Sequence, residues 1–334
     1  MAELHTLEEA TRIVQRGAPL LVAADARLLA ALPRGPWIGG TTVYFLTKTG
    51  GRLDRDHLYV TELQPPLTSV EIRSYVESDL SQIPAHYPEH GCSFVVLPAG
   101  SRAHLIFARD CAKFTGLFHQ PLVGWNAGVH LSEVDRVAPL VFDGTTGESF
   151  ENRAVVMHGT LDPRFTARLE IHNPFTPGSA DVITFENDGF SVTDCAINGA
   201  PRNFAEYLLE HSVDTRWPLI ADYGGAQVNV SFQGIDLTNR RVRFYSPVFA
   251  GVEYRLSETH EDFARVLEAS PGATPPAVSF SCNCVLNFLY GHLEGKYTGQ
   301  ASGPVTFGEI AYIQLNQTQV FLSFEEKGSP STSA

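Results

Sequence analysis

From end to end this chain repeats one pattern: a short run of apolar, β-branched or aromatic residues, then a break made by Gly, Pro, Asn or Asp. Pro19–Ala24, Trp37–Leu46, His57–Thr61, Ser93–Leu97 and Pro121–Gly128 carry it in the first half. Arg168–Ile171, Asp181–Phe185, Val228–Phe232, Val242–Tyr245, Ala277–Ser281, Ile310–Leu315 and Thr318–Phe324 carry it in the second. Runs of this length, bounded by turn residues, read as strands. No run approaches the ~18–20 apolar residues that a spanning helix needs, so a helical integral membrane protein is excluded. Asn187-Asp188-Gly189 and Asn198-Gly199 mark tight turns.

Helical spacing appears between the strands. Thr6-Leu7-Glu8-Glu9 is a capping box, in which the Thr hydroxyl and the Glu carboxylate satisfy the first free amides, and Gly17 stops that helix. Residues 66–81 read as weakly helical, and Ala103–Phe118, Pro201–His211, Thr259–Leu267 and Val285–Tyr290 as further helices. The sum is a mixed α/β (α+β) chain, two strand-rich lobes with mixed sheets flanked by helices. A change of pattern near Thr160–Pro163 puts the boundary there: 1–160 and 161–326, with 327–334 as a disordered tail. Gly40–Phe45 and Gly308–Ile313 share one glycine and one tyrosine by position, a similarity that chance accounts for.

Lys plus Arg number 24 against 37 Asp plus Glu, a net charge of −13. With no basic cluster, a nucleic-acid backbone or an anionic membrane surface would be repelled. The acidic N-terminal stretch lacks the basic and then apolar run of a signal peptide, and five cysteines are an odd count that suits a reducing compartment. A cytoplasmic protein is expected.

Three features carry possible chemistry. Phe280-Ser281-Cys282-Asn283-Cys284 takes a strand into a helix, where free amides attract anions or lower a thiol pKa. The plainer reading is that both cysteines are small core residues. His86, His90 and Cys92 have a spacing that could ligate a metal or haem, although their Pro- and Gly-bearing loop does not fix ligand geometry. Glycine-bearing bends around Gly40 and Thr41, Trp125 and Asn126, and Glu309 could let backbone approach a ligand closely, or could simply pack strands tightly. His158 and His172, lone histidines in strands, read as hydrogen-bonded core residues. No dinucleotide, P-loop or nucleophile-elbow fingerprint occurs.

The order of these motifs resembles the FIST sensory family (F-box and intracellular signal transduction proteins). Trp37-Ile38-Gly39-Gly40-Thr41-Thr42 and Leu122-Val123-Gly124-Trp125-Asn126-Ala127-Gly128 stand in the places of its N-terminal half. Ile197-Asn198-Gly199-Ala200-Pro201, Phe280-Ser281-Cys282-Asn283, Phe307-Gly308-Glu309-Ile310 and Asn316-Gln317-Thr318 stand in those of its C-terminal half. The likeness runs from Ala18 to Ser323 and departs at Trp125-Asn126 and at Cys284-Val285-Leu286. It implies a small-molecule sensor without metal or cofactor, its amino-acid-like ligand held between the two halves by Gly40, Thr41, Trp125, Asn126, Cys282, Asn283 and Glu309. Its signal would pass to a separate partner protein. The alternatives are a cysteine enzyme, with Cys282 or Cys284 as nucleophile and Glu309 or His292 as base, and a haem or metal sensor.

Overall fold

Thr6 Oγ1 accepts the Glu9 amide at 3.3 Å while Glu9 Oε2 accepts the Thr6 amide at 2.9 Å, so the first helix, Leu7–Gln15, starts on the reciprocal cap that the sequence spells. Gly17, at φ +77°, ends it. The computed structural model describes residues 2–63, 65–223, 226–258, 278–297 and 302–328. Over these the chain is mixed α/β, about 46% strand and 18% helix. The expected helix at Thr259–Leu267 and residues 329–334 of the expected tail lie outside the described residues.

Beyond the first helix, Leu20–Ala24, helix Ala26–Leu29 and Trp37–Thr41 form a βαβ unit whose strands pair in parallel. The same arrangement recurs in Gly91–Pro98, helix Arg102–Asp110 and Leu122–Ala127. It recurs again in Val278–Cys284, helix Val285–Tyr290 and Gly303–Thr306. Each βαβ core is preceded by an outer strand: Ala2–His5, Leu67–Tyr75 or Phe165–His172. Each is followed by a hairpin and then by a return strand: Leu58–Glu62, Ala154–Leu161 or Gln319–Glu326. The described chain therefore runs through one topology three times, over 2–62, 67–161 and 165–326, and builds three six-stranded sheets of matching order.

The hairpins lock the units together. The first unit's hairpin, Tyr44–Thr47 with Gly50–Leu53, pairs with Gly303–Thr306 of the third. The second's, Val141–Asp143 with Glu148–Phe150, pairs with Trp37–Thr41 of the first. The third's, Glu309–Ala311 with Ile313–Leu315, pairs with Leu122–Ala127 of the second. The junction expected at Thr160–Pro163 falls where the second unit meets the third. Another junction lies at 62–67, and hydrogen-bonded strands cross both.

The inner faces of the three sheets share one core: Leu21, Ile38 and Tyr59 from the first, Phe94, Trp125 and Met157 from the second, Phe280, Val320 and Leu322 from the third. Helices cover the outer faces, as Ala103 and Phe107 do over Val95 and Leu97. Central strands are thus buried on both sides, which is why they read as continuous apolar runs. Packing here leaves little slack. A Cβ on Gly124 would lie 1.8 Å from the Val95 carbonyl oxygen, a backbone atom that cannot step aside. Gly124→Ala is expected to cost about 3 kcal/mol, read as a lowered midpoint in urea melts; an unchanged midpoint would mean the strands have room to separate.

The third unit carries an insertion between Phe165–His172 and Val278–Cys284. It holds a six-stranded and a three-stranded sheet, the helix Phe204–Glu210, and a core of its own built on Phe185, Phe204, Phe232, Phe244 and Tyr254.

Residues 66–81 correct the sequence reading. They form the edge strand Leu67–Tyr75 and the start of the 3₁₀ segment Glu77–His86, not a helix. Pairing along the whole length of Ala154–Leu161 outweighs weak helical spacing. Among the described residues no helix is long and apolar enough to cross a membrane.

Candidate functional site

The three-fold layout makes the positions of polar residues comparable. In each sheet the second βαβ strand pairs with the first strand of an incoming hairpin. Gly40 lies opposite Val141, Pro304 opposite Phe45, and Trp125 opposite Glu309. Cross-strand partners share a face, and Val141, Phe45 and Trp125 all belong to the inner core. Two of the three matching hairpin positions are therefore apolar, as the fold wants, and the third places a carboxyl in the interior.

Glu309 is fully buried. Its Oε2 accepts two bonds from Thr318, the backbone N–H at 3.1 Å and the hydroxyl at 2.8 Å. Oε1 makes no hydrogen bond of standard geometry, although the Cys284 thiol is close enough to couple to the carboxyl. Loss of water dominates over the Thr318 bonds and pushes the pKa from 4.5 up to about 8, so the group is largely neutral at neutral pH.

Of the residues expected to converge, four do so on the inner side. Trp125 stacks on Phe280 at 5.7 Å between centroids, Cys282 donates to the Gly124 carbonyl at 3.5 Å, and both lie in the core that Glu309 enters. Gly40 faces the same region, but a Cβ there would sit 2.9 Å from Trp125 Nε1 and 2.5 Å from Val96 Cγ1. The space that the glycine leaves is taken by the indole edge. The other three turn to the helix side of their sheets. Thr41 Oγ1 accepts the Leu140 amide at 3.0 Å, Asn126 donates to Gln314 Oε1 at 2.7 Å, and Asn283 Oδ1 accepts from Asn287 at 2.8 Å. Strand alternation separates adjacent residues in this way, and spacing along the sequence did not reveal which face each one takes.

Buried polar atoms without partners gather in these strands and the helix that follows: Trp125 Nε1, Asn126 Oδ1, Asn283 Nδ2, Asn287 Oδ1, Glu309 Oε1 and Gln319 Nε2. Native interiors leave few such atoms, and those left call for a bound molecule or water. A crevice of about 10 Å³ beside Cys282, Asn283 and Gln319 has room for one water. A wider groove of about 540 Å³ lies at the surface between Pro84, Phe114 and His119.

The cysteine chemistry expected at the helix start meets a physical obstacle. Burial, and then the Glu309 charge, raise the Cys282 and Cys284 thiols well above 9, and the bond from Leu286 at the helix start is a lesser influence. Neither supplies thiolate at neutral pH. His292 is exposed, in the left-handed turn just after the helix Val285–Tyr290.

His86, His90 and Cys92 face separate partners. Cys92 lies in the core, and His90 Nε2 meets the Phe165 carbonyl at 2.8 Å. Among the described residues no group of three His, Cys, Asp or Glu side chains could hold a metal ion. His86 instead heads a hydrogen-bonded chain that spacing did not foreshadow. The Gln82 carbonyl, 3.0 Å from His86 Nδ1, only accepts, so that nitrogen carries the proton. Tyr75 O–H then points to His158 Nε2 at 2.8 Å, and His158 Nδ1–H to Ser93 Oγ at 2.8 Å. Burial lowers the His158 pKa to about 4, so it stays neutral and this pattern of donors holds.

The sequence profile described as "Family of unknown function (DUF6976)" matches residues 5–325. The chain belongs to this family. The match covers all three units and the insertion, and carries no statement about FIST proteins. Comparison with curated proteins gives no match.

Proposed function

We propose that this DUF6976 protein binds a small polar molecule, neutral or positively charged, in its interior beside Glu309 and Trp125, and serves as a cytoplasmic sensor. The carrying observation is the buried carboxyl, whose Oε1 has no hydrogen bond of standard geometry, at a position where the other two sheets have Val141 and Phe45. A lone interior carboxyl destabilises the fold, so its presence argues for use. The ligand's charge follows from what surrounds it. No Lys or Arg among the described residues is buried, so an anion would enter an interior with nothing to offset it. An ammonium would find a carboxylate and an aromatic ring. The motif order shared with FIST proteins supports the sensory role, with output through a separate partner. Sensing requires that the ligand favour one arrangement of the protein over another.

Thermal-shift screening against small amines, amides and alcohols tests this. Near 100 times Kd a true ligand adds about 2.7 kcal/mol of stability. That gain is expected to vanish in Glu309→Gln for a cation and to shrink in Trp125→Phe. Shifts equal to wild type in both variants would place the ligand elsewhere. For a cationic ligand, affinity is expected to rise about tenfold per pH unit up to about pH 8 and then level off, because the Glu309 proton must leave first.

A further inference from the structure

Side-chain hydrogen bonds between the described residues of the insertion and of the body gather on one turn, and Val228 of the insertion also packs in the body's core. Ser231 Oγ donates to Gln317 Oε1 at 2.6 Å, and Ser246 Oγ donates to Asn316 Oδ1. Asn229 Nδ2 donates to the Asn316 carbonyl at 3.1 Å. In return Gln317 Nε2 donates to the Arg216 carbonyl at 3.0 Å. Asn229, Ser231, Ser246, Asn316 and Gln317 are all buried by this contact. The insertion has a core largely its own, joined to the body's through Val228 and Tyr223, and polar junctions between such modules are where relative motion is expected.

The same turn touches the interior site. Thr318, the next residue, gives Glu309 both of its hydrogen bonds. The Gln317 backbone amide reaches the Cys284 thiol. Gln317 also sits at φ +52°, in the left-handed region, within the turn between Ile313–Leu315 and Gln319–Glu326.

We propose that the insertion is the gate of the interior site, latched by Ser231 and Ser246 on the Asn316–Gln317 turn, so that release of the latch frees Thr318 from Glu309 and opens a path to the carboxyl. This rests on the reading of Glu309 as a ligand site. Latched, Glu309 is capped by Thr318. Unlatched, Thr318 withdraws, and both Glu309 oxygens become available to a ligand. A ligand that pairs with Glu309 would compete with Thr318 and so favour the open form, which gives binding a conformational readout.

The five cysteines provide a test that needs no ligand. Cys284 lies under the turn, Cys282 lies in the inner core, Cys195 lies in the insertion core, and Cys92 and Cys111 lie in the second unit. The full chain, as wild type and as Ser231→Ala/Ser246→Ala, is treated with iodoacetamide, and alkylation of each cysteine is followed by peptide mass spectrometry. Each rate tracks the population of the opening that exposes that thiol. Loss of two hydrogen bonds is expected to speed Cys284 about 10- to 30-fold, with Cys92 and Cys111 unchanged. Equal acceleration of Cys92, Cys111 and Cys284 would mean general destabilisation and would overturn the gate. So would an unchanged Cys284. If Cys284 accelerates alone while no amine, amide or alcohol shifts the melting temperature, the gate stands and the ligand reading fails.

Discussion

Glu309→Gln makes the protein more stable at neutral pH, by about 4 kcal/mol near pH 7.5, a rise of roughly 6 °C in melting temperature. Folding removes the carboxyl from water and raises its pKa from 4.5 to about 8. Below about pH 4.5 the group is protonated in folded and unfolded chains alike and contributes nothing. Between about pH 4.5 and 8 the unfolded chain releases the proton while the folded one keeps it, so stability falls as pH rises, and above about pH 8 the loss is constant. Glutamine keeps the shape and an oxygen for the two Thr318 donors but has no proton to lose. The gain is therefore expected at pH 7.5 and absent near pH 4.5, read from paired urea melts. An equal effect at both pH values, or a loss at pH 7.5, would show that Glu309 is ionised in the fold. Ligand response should disappear in the same variant, because a site that costs stability is kept for what it binds.

The acid side has the opposite sign and the same cause, loss of water around a group that would otherwise be charged. Burial lowers His104 and His158 from 6.5 to about 4. Above about pH 6.5 both are neutral whether folded or not. As pH falls from 6.5 towards 4 the unfolded chain takes up protons that the folded chain refuses, so stability drops, by up to about 3 kcal/mol for each histidine. His158 cannot accept a proton on Nε2 without losing the bond that Tyr75 donates. With Glu309 acting from the other side, these three groups put maximum stability at about pH 6.5, because the two histidines outweigh the one carboxyl below it. Imidazole resonances followed by NMR should show His104 and His158 still neutral at about pH 5. If all of them titrate near 6.5, the neutral Ser93–His158–Tyr75 chain is wrong.

Much of the local structure was legible. The capping box at Thr6 and Glu9, the strand runs and the stops at glycine are short-range features, and sequence neighbours decide them. The grouping of Trp125, Cys282 and Glu309 was also within reach, because each is an unusual residue at the end of an apolar run. What spacing could not show was the side of the sheet each would face, since one step along a strand reverses it. Thr41, Asn126 and Asn283 were grouped with the interior residues and instead bond on the helix side. The repeat was out of reach for a related reason. Gly40–Phe45 and Gly308–Ile313 echo one another, but the structural match pairs Gly40 with Trp125 and Pro304, residues with nothing in common. Only hydrogen-bond topology carries the three-fold relation.

By itself, then, the sequence determined where many strands and helices form, because periodicity and capping act within a few residues, but it misplaced residues 66–81 and ran the helices at 103–118 and 201–211 too long. It also determined that a carboxyl, an indole and two thiols stand at strand ends. Tertiary structure alone decided that three units exchange hairpins around one core, and that an insertion closes over the Asn316–Gln317 turn. It decided too that Glu309 is buried away from water, which raises its pKa. Strand exchange depends on pairing between residues more than a hundred positions apart, and a carboxyl's charge depends on how much water the completed fold leaves around it.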